Sequence, residues 1–164
     1  MLFDTAQMYE QVKKLAPCKE SLEWLKSLPP ELTLEQMFNE LDVMPEGPEF
    51  IVRWAIFIIK DRVREGEPII MKDPKAAVAY ATHILKDRWI EAENNIMLDP
   101  QQAYHYASNV IKGRWEEAEP YIRHDSKYWN FYKTEIIDGL VREVEDGAGE
   151  GGDSGYSIEI RSSV

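Results

Sequence analysis

A single cysteine, Cys18, stands in the whole chain, so no internal disulfide can form and a reducing cytoplasm is the expected setting. Long apolar runs are missing too. The longest, Ala55-Ile56-Phe57-Ile58-Ile59, falls far short of the roughly 20 residues that a membrane-spanning helix needs. Met1-Leu2-Phe3-Asp4 lacks a basic start followed by an apolar stretch, so no signal peptide is expected. Histidine is scarce: His83, His105 and His124 fall at unrelated positions, with no His-Glu-x-x-His and no cysteine pair to complete a zinc site. They read as isolated surface histidines. Neither a Gly-x-Gly-x-x-Gly nor a Walker loop occurs, and the glycines of 147–155 lie outside any strand–turn–helix context. No metal or cofactor is expected.

Basic residues are in deficit, and the net charge is −11. Residues 143–164 hold six acids and one base, which leaves −6 spread over the rest. Such a chain repels phosphate backbones, so direct nucleic-acid binding is not expected, and with no long apolar run neither is a membrane partner.

What is present is a repeat. Asp73-Pro74-Lys75-Ala76-Ala77-Val78-Ala79-Tyr80-Ala81 lies over Asp99-Pro100-Gln101-Gln102-Ala103-Tyr104-His105-Tyr106-Ala107 at an offset of 26 residues. The match runs on through Ile84 to Glu93 over Val110 to Glu119, including Arg88-Trp89 over Arg114-Trp115. The same offset reaches outward more faintly. Gly47-Pro48 takes the Asp-Pro place upstream and Asp125-Ser126 takes it downstream. Four units follow, 47–72, 73–98, 99–124 and 125–145, the outer two degenerate as the caps of a stacked array usually are.

Each unit reads as two helices. Asp73 and Asp99 suit N-caps, with Pro74 and Pro100 at the first helical position, where a missing N–H costs nothing. Ala77, Tyr80, Ala81, Ile84 and Leu85 then share one helical face. The helix is expected to break at Lys86-Asp87 and Lys112-Gly113, the glycine suiting a C-terminus. A shorter helix should turn Trp89, Ala92 and Ile96 inward, or Trp115, Ala118 and Ile122 in the next unit.

Residues 1–46 stand outside the repeat and read as a helical cap. A helix is expected over Asp4 to Ala16 with Ala6, Tyr9, Val12 and Leu15 apolar, and a second opening at Pro17 and stopping at Pro29-Pro30. Thr33 and Gln36 form a capping box for a third. Cys18, before a Leu-x-Trp helical face, reads as a small core residue. Residues 146–164, rich in glycine and acids, read as a disordered tail. The fold class is therefore all-α: a short α-solenoid of four two-helix repeats with an N-terminal helical cap and a flexible acidic tail.

The pattern Asp-Pro-x-x-Ala-x-x-Tyr-Ala-x-x-x-Ile-x-x-Arg-Trp-x-Glu-Ala-Glu resembles the short helical repeats of many bacteriophage and prophage proteins. Cys18-Lys19-Glu20-Ser21-Leu22-Glu23-Trp24-Leu25 is similar to a Cys-containing helix that often precedes such repeats. Together the two cover roughly residues 17–145. The resemblance implies an origin in a phage or bacterium and a cytoplasmic setting in the host, and it carries little functional content.

Two sets of residues merit attention. Arg62, Arg88 and Arg114 share one repeat position, and Glu67, Glu93, Glu119 and Glu145 share another. A ligand-binding ladder is one reading. The favoured one is structural, each guanidinium holding helix-end carbonyls or a repeat glutamate. The second set is aromatic. Tyr128 and Phe131 occupy positions that are small or polar in the middle units, where Ala76, Gln102, Ala79 and His105 stand. Helical phasing places both on an outer face, rimmed by Lys127 and Lys133, and Phe50 and Phe57 in the first unit are expected to be covered by the N-terminal helices. Tyr128, Phe131, Tyr104 and Tyr121 are the interface candidates; no catalytic residue is assigned. The favoured function is a non-enzymatic protein-interaction module, an adaptor or inhibitor of a host protein, with a homodimer the simplest partner. The alternatives are an acidic nucleic-acid mimic and, least favoured, an enzyme.

Overall fold

The computed structural model describes residues 2–14 and 19–139, and these are mostly helical. Leu15 to Cys18, Glu145 and the tail lie outside the described residues, as do the readings made of them. The chain opens on a short strand, β1 (Leu2–Asp4), which pairs antiparallel with β2 (Glu31–Thr33). Between them lie α1 (Thr5–Lys13) and α2 (Lys19–Ser27). This ribbon departs from the purely helical expectation. Its junction is tied by Thr5, whose hydroxyl donates to the carbonyls of Pro29 at 2.8 Å and Pro30 at 3.0 Å. The inward face of α1 is Thr5, Met8 and Val12, while Ala6 is exposed and Tyr9 half-buried. The third helix, α3 (Leu34–Asp42), carries the expected capping box, with Gln36 N–H on the Thr33 hydroxyl at 3.2 Å and Thr33 N–H on the Gln36 side chain at 2.9 Å.

From residue 47 the elements follow the 26-residue register. The long helices are α4 (Gly47–Trp54), α6 (Pro74–Tyr80), α8 (Pro100–Tyr106) and α10 (Ser126–Phe131), each packed on the next. Asp73, Asp99 and Asp125 cap the last three, the Asp73 carboxylate accepting from Ala76 N–H at 2.7 Å. The first unit cannot follow suit. A Cβ on Gly47 would lie 1.8 Å from the Leu41 carbonyl oxygen, so no aspartate fits where α3 turns into α4.

Every long helix ends in a π-helical turn: Ala55–Ile59, Ala81–Leu85, Ala107–Ile111 and Tyr132–Ile137. Three of these close on a left-handed lysine, Lys60 (φ 57°), Lys86 (φ 54°) and Lys112 (φ 55°). The expected break is thus in place, but the left-handed residue in the third unit is Lys112 and not Gly113. A lysine at a helix C-terminus gains from the carbonyl dipoles there, which offsets part of the steric cost of the conformation.

The short helices show how one residue sets a local structure. In the second unit α7 runs unbroken from Ile90 to Ile96. In the first and third units a 3-10 turn, Arg64–Gly66 or Glu116–Ala118, precedes α5 (Glu67–Ile70) or α9 (Glu119–Ile122). Pro68 and Pro120 lack the N–H that would close an α-turn on Arg64 or Glu116, whereas Asn94 at the same position has one. Trp89, Ala92 and Ile96 are buried, as are Trp115, Ala118 and Ile122.

The outward positions of the long helices change character at α10. Val52, Val78 and Tyr104 share one position, and each is buried. Tyr104 shows the direction of that face, since its ring meets those of Tyr128 and Phe131 on the next helix. The fourth residue of the series is Asn130, polar and exposed. Likewise Ala55, Ala81 and Ala107 are fully buried and the fourth of their series is the exposed Lys133.

Candidate functional site

The arginines and glutamates that share repeat positions meet, and a third residue joins them. Arg88 forms a two-pronged pair with Glu93, Nε to Oε1 and Nη2 to Oε2 both at 2.8 Å. Arg62 holds Glu67 in the same way, and Arg114 holds Glu119, which also takes Arg123 Nη2 at 3.3 Å. Onto each carboxylate comes a tyrosine from the next unit's long helix. Tyr80, Tyr106 and Tyr132 donate to Glu67, Glu93 and Glu119 at 3.2, 3.1 and 3.5 Å. The same hydroxyls accept the backbone N–H of Val63, Trp89 and Trp115 at 2.8, 2.6 and 2.6 Å. Each unit is thereby latched to the next through one Arg–Glu–Tyr set. Ring contacts repeat in step: Tyr80 on Trp89 at 5.3 Å, and Tyr106 on Trp115 at 5.1 Å.

Apolar periodicity reads these tyrosines only as core residues. A further signal lies in the sequence: a phenol on a buried face needs a hydrogen-bond partner, and three of them recur at one register. The first unit has Trp54 at this position, and the residue where its glutamate would stand is Leu41.

The electrostatics suit a latch. Both oxygens of each carboxylate accept hydrogen bonds, and each phenol both donates and accepts one. The hydrogen bond from Arg114 holds the Glu119 carboxyl below its ordinary range. Burial pushes Tyr80 up to about 12, and raises Tyr106 and Tyr132 too, because the charged phenolate would be poorly solvated. An unfolded tyrosine titrates near 10. The Tyr80 latch therefore contributes fully below about pH 10, and its contribution is lost as the pH rises toward 12. Thermal melts followed together with tyrosinate absorbance should be level from pH 7 to 9 and fall steeply above 10. Tyrosines that ionise without any loss of stability would show that the phenols do not hold the units together.

The interface candidates separate. Phe131 is 41% exposed, and Tyr128 is half-buried. Their rings lie 6.3 Å apart, and Lys127 Nζ sits 5.0 Å from the Tyr128 ring centre. His105 flanks them, 6.3 Å from Tyr128. Tyr104 is covered by α10: only 8% exposed, it forms the floor of the cluster and donates to Glu135. Tyr121 is 39% exposed on α9 and makes no ring contact with this cluster among the described residues.

Two further expectations are corrected. Ala76 and Gln102 do not face water but are buried, because neighbouring long helices close over that position. Phe50 is covered, with Trp24 edge-on at 5.2 Å, but Phe57 is 53% exposed because it sits on the π-turn beyond the reach of the N-terminal helices.

Among the described residues no group of three or more His, Cys, Asp or Glu side chains could hold a metal ion, and no helix is long and apolar enough to cross a membrane. No family model, no curated protein and no solved structure matches the chain.

Proposed function

We propose that the chain is a non-enzymatic protein-interaction module: a short α-solenoid of four two-helix repeats, with its N-terminal cap over 1–46 and an acidic tail over 146–164. We place it, on the resemblance of its repeat, in a phage or prophage, acting in the bacterial cytoplasm as an adaptor or inhibitor of a host protein. The observation that carries this reading is the aromatic cluster between α8 and α10. Phe131 stands half out of a surface whose floor is Tyr104 and whose edge is Tyr128, with a cation beside it. Clustered aromatics over a packed floor, rimmed by charge, are the composition of an interface centre.

The acidic-mimic alternative is supported less well. The acids that recur at fixed spacing, Glu67, Glu93 and Glu119, are turned onto arginine and tyrosine and are not displayed as a row of surface charges.

Phe131→Ser tests the reading. Its ring is exposed enough that the melting temperature should stay within a few degrees, as surface substitutions cost within about 0.5 kcal/mol. Self-association in sedimentation, or capture of a host protein, should fall at least about tenfold. A variant that melts far lower and binds unchanged would make Phe131 a packing residue and sink the interface.

A further inference from the structure

At the opposite end of the helix series lies a groove of about 620 Å³ between α3 and α5. Its floor is apolar: Leu34, the buried Phe38 and Ile69, with Pro68 beside them. Gly66 lets that floor form. A Cβ there would lie 2.8 Å from Ile51 Cγ2 and 3.3 Å from the Phe38 ring, whereas the same repeat position holds Ala92 and Ala118 in the next two units. The rim is acidic, with Glu35 on α3, Glu65 at the start of the short helix, and Asp42. The cation on the rim, Lys72, is already paired with Asp42. Glu35 and Glu65 are exposed.

We infer that this groove binds a peptide segment of a partner protein in which an apolar residue is flanked by arginine or lysine. The apolar floor takes the one and Glu35 with Glu65 take the others. Charge complementarity decides the occupant: two carboxylates of the groove have no compensating cation among its lining residues, on a chain of net charge −11 that attracts basic segments and repels acidic ones. A second copy of this equally acidic chain is for the same reason a poor occupant. The inference deepens the interaction reading with a second surface of different chemistry, and it stands separately from Phe131.

The test titrates a labelled synthetic peptide of alternating leucine and arginine into the full chain, with amide chemical-shift mapping. Binding should shift residues of α3 and α5. The Glu35→Gln/Glu65→Lys variant should weaken binding at least about tenfold. The control is Glu91→Gln/Glu117→Lys, on exposed acids that hold the repeat position of Glu65 in the next two units, outside the groove. It changes the net charge by the same amount and should alter binding less than about threefold. A peptide with serine for leucine should bind weakly, and one with glutamate for arginine not at all. Circular dichroism checks that both variants fold. Equal losses from the two pairs, or equal binding of the serine peptide, would reduce the effect to diffuse attraction and overturn the groove. Loss of peptide binding in Phe131→Ser with no effect at Glu35 and Glu65 would move the site to the aromatic end and likewise overturn it.

Discussion

Trp115→Ala should lower stability by about 3–5 kcal/mol, as expected for emptying a fully packed aromatic site, and the melting temperature by on the order of 10 °C. Trp115 is 2% exposed and lies against Tyr106, while its backbone N–H is the donor to Tyr132. Removing the indole leaves a void in a site that is packed on all sides. In a series of units that touch only their neighbours, the loss should be local. Amide exchange should accelerate in α8 to α10 and stay unchanged in α1 to α3. A change of less than about 1 kcal/mol, or uniform loss across the chain, would contradict the packing described.

Gly47→Ala should be as damaging for a different reason. The added methyl would meet backbone, with the Leu41 carbonyl oxygen at 1.8 Å and its carbon at 2.8 Å, so no rotamer relieves the clash. The turn between α3 and α4 must open, and a cost of at least about 3 kcal/mol, the upper end for overpacked sites, is expected. Gly66→Ala meets side chains that can yield and should cost about 1–3 kcal/mol. Gly113→Ala, whose nearest neighbour atom is 4.0 Å away, should change stability by less than about 0.5 kcal/mol. Urea denaturation of the three variants gives the ranking, and a Gly47 variant as stable as the Gly113 variant would rule out the close approach.

Much of this was legible at the level of the sequence, and the reasons are specific. Asp-Pro at 73 and 99 marks helix starts because a carboxylate caps free N–H groups and a proline needs none. The offset of 26 aligns Arg88 with Arg114 and Glu93 with Glu119, so their pairing needs only that equivalent positions do equivalent things. What stayed hidden depends on residues far apart in the chain. The ribbon of Leu2–Asp4 with Glu31–Thr33 is too short to show alternation. Three π-turns place a lysine in the left-handed conformation, at Lys112 in preference to the neighbouring Gly113, which no propensity would single out. The tyrosine of each latch acts on the preceding unit, 13 residues from its glutamate and 17 from its backbone donor, and apolar periodicity shows only that its ring is buried. The same limit misplaced Phe57. Helical phase says which residues share a face, but not whether a neighbouring helix covers it.

The most direct test of the repeating latch is residue-resolved hydrogen exchange in Tyr106→Phe. The hydroxyl of Tyr106 accepts from Trp89 N–H and donates to Glu93, both buried, so its loss should cost about 1–3 kcal/mol. Protection of the Trp89 amide should fall accordingly, while Val63 and Trp115, held by Tyr80 and Tyr132, keep theirs. Tyr80→Phe and Tyr132→Phe should move the affected amide by one unit each way, to Val63 and to Trp115. Trp89 protection unchanged in Tyr106→Phe, or all three amides falling together, would contradict a structure held by one latch per unit.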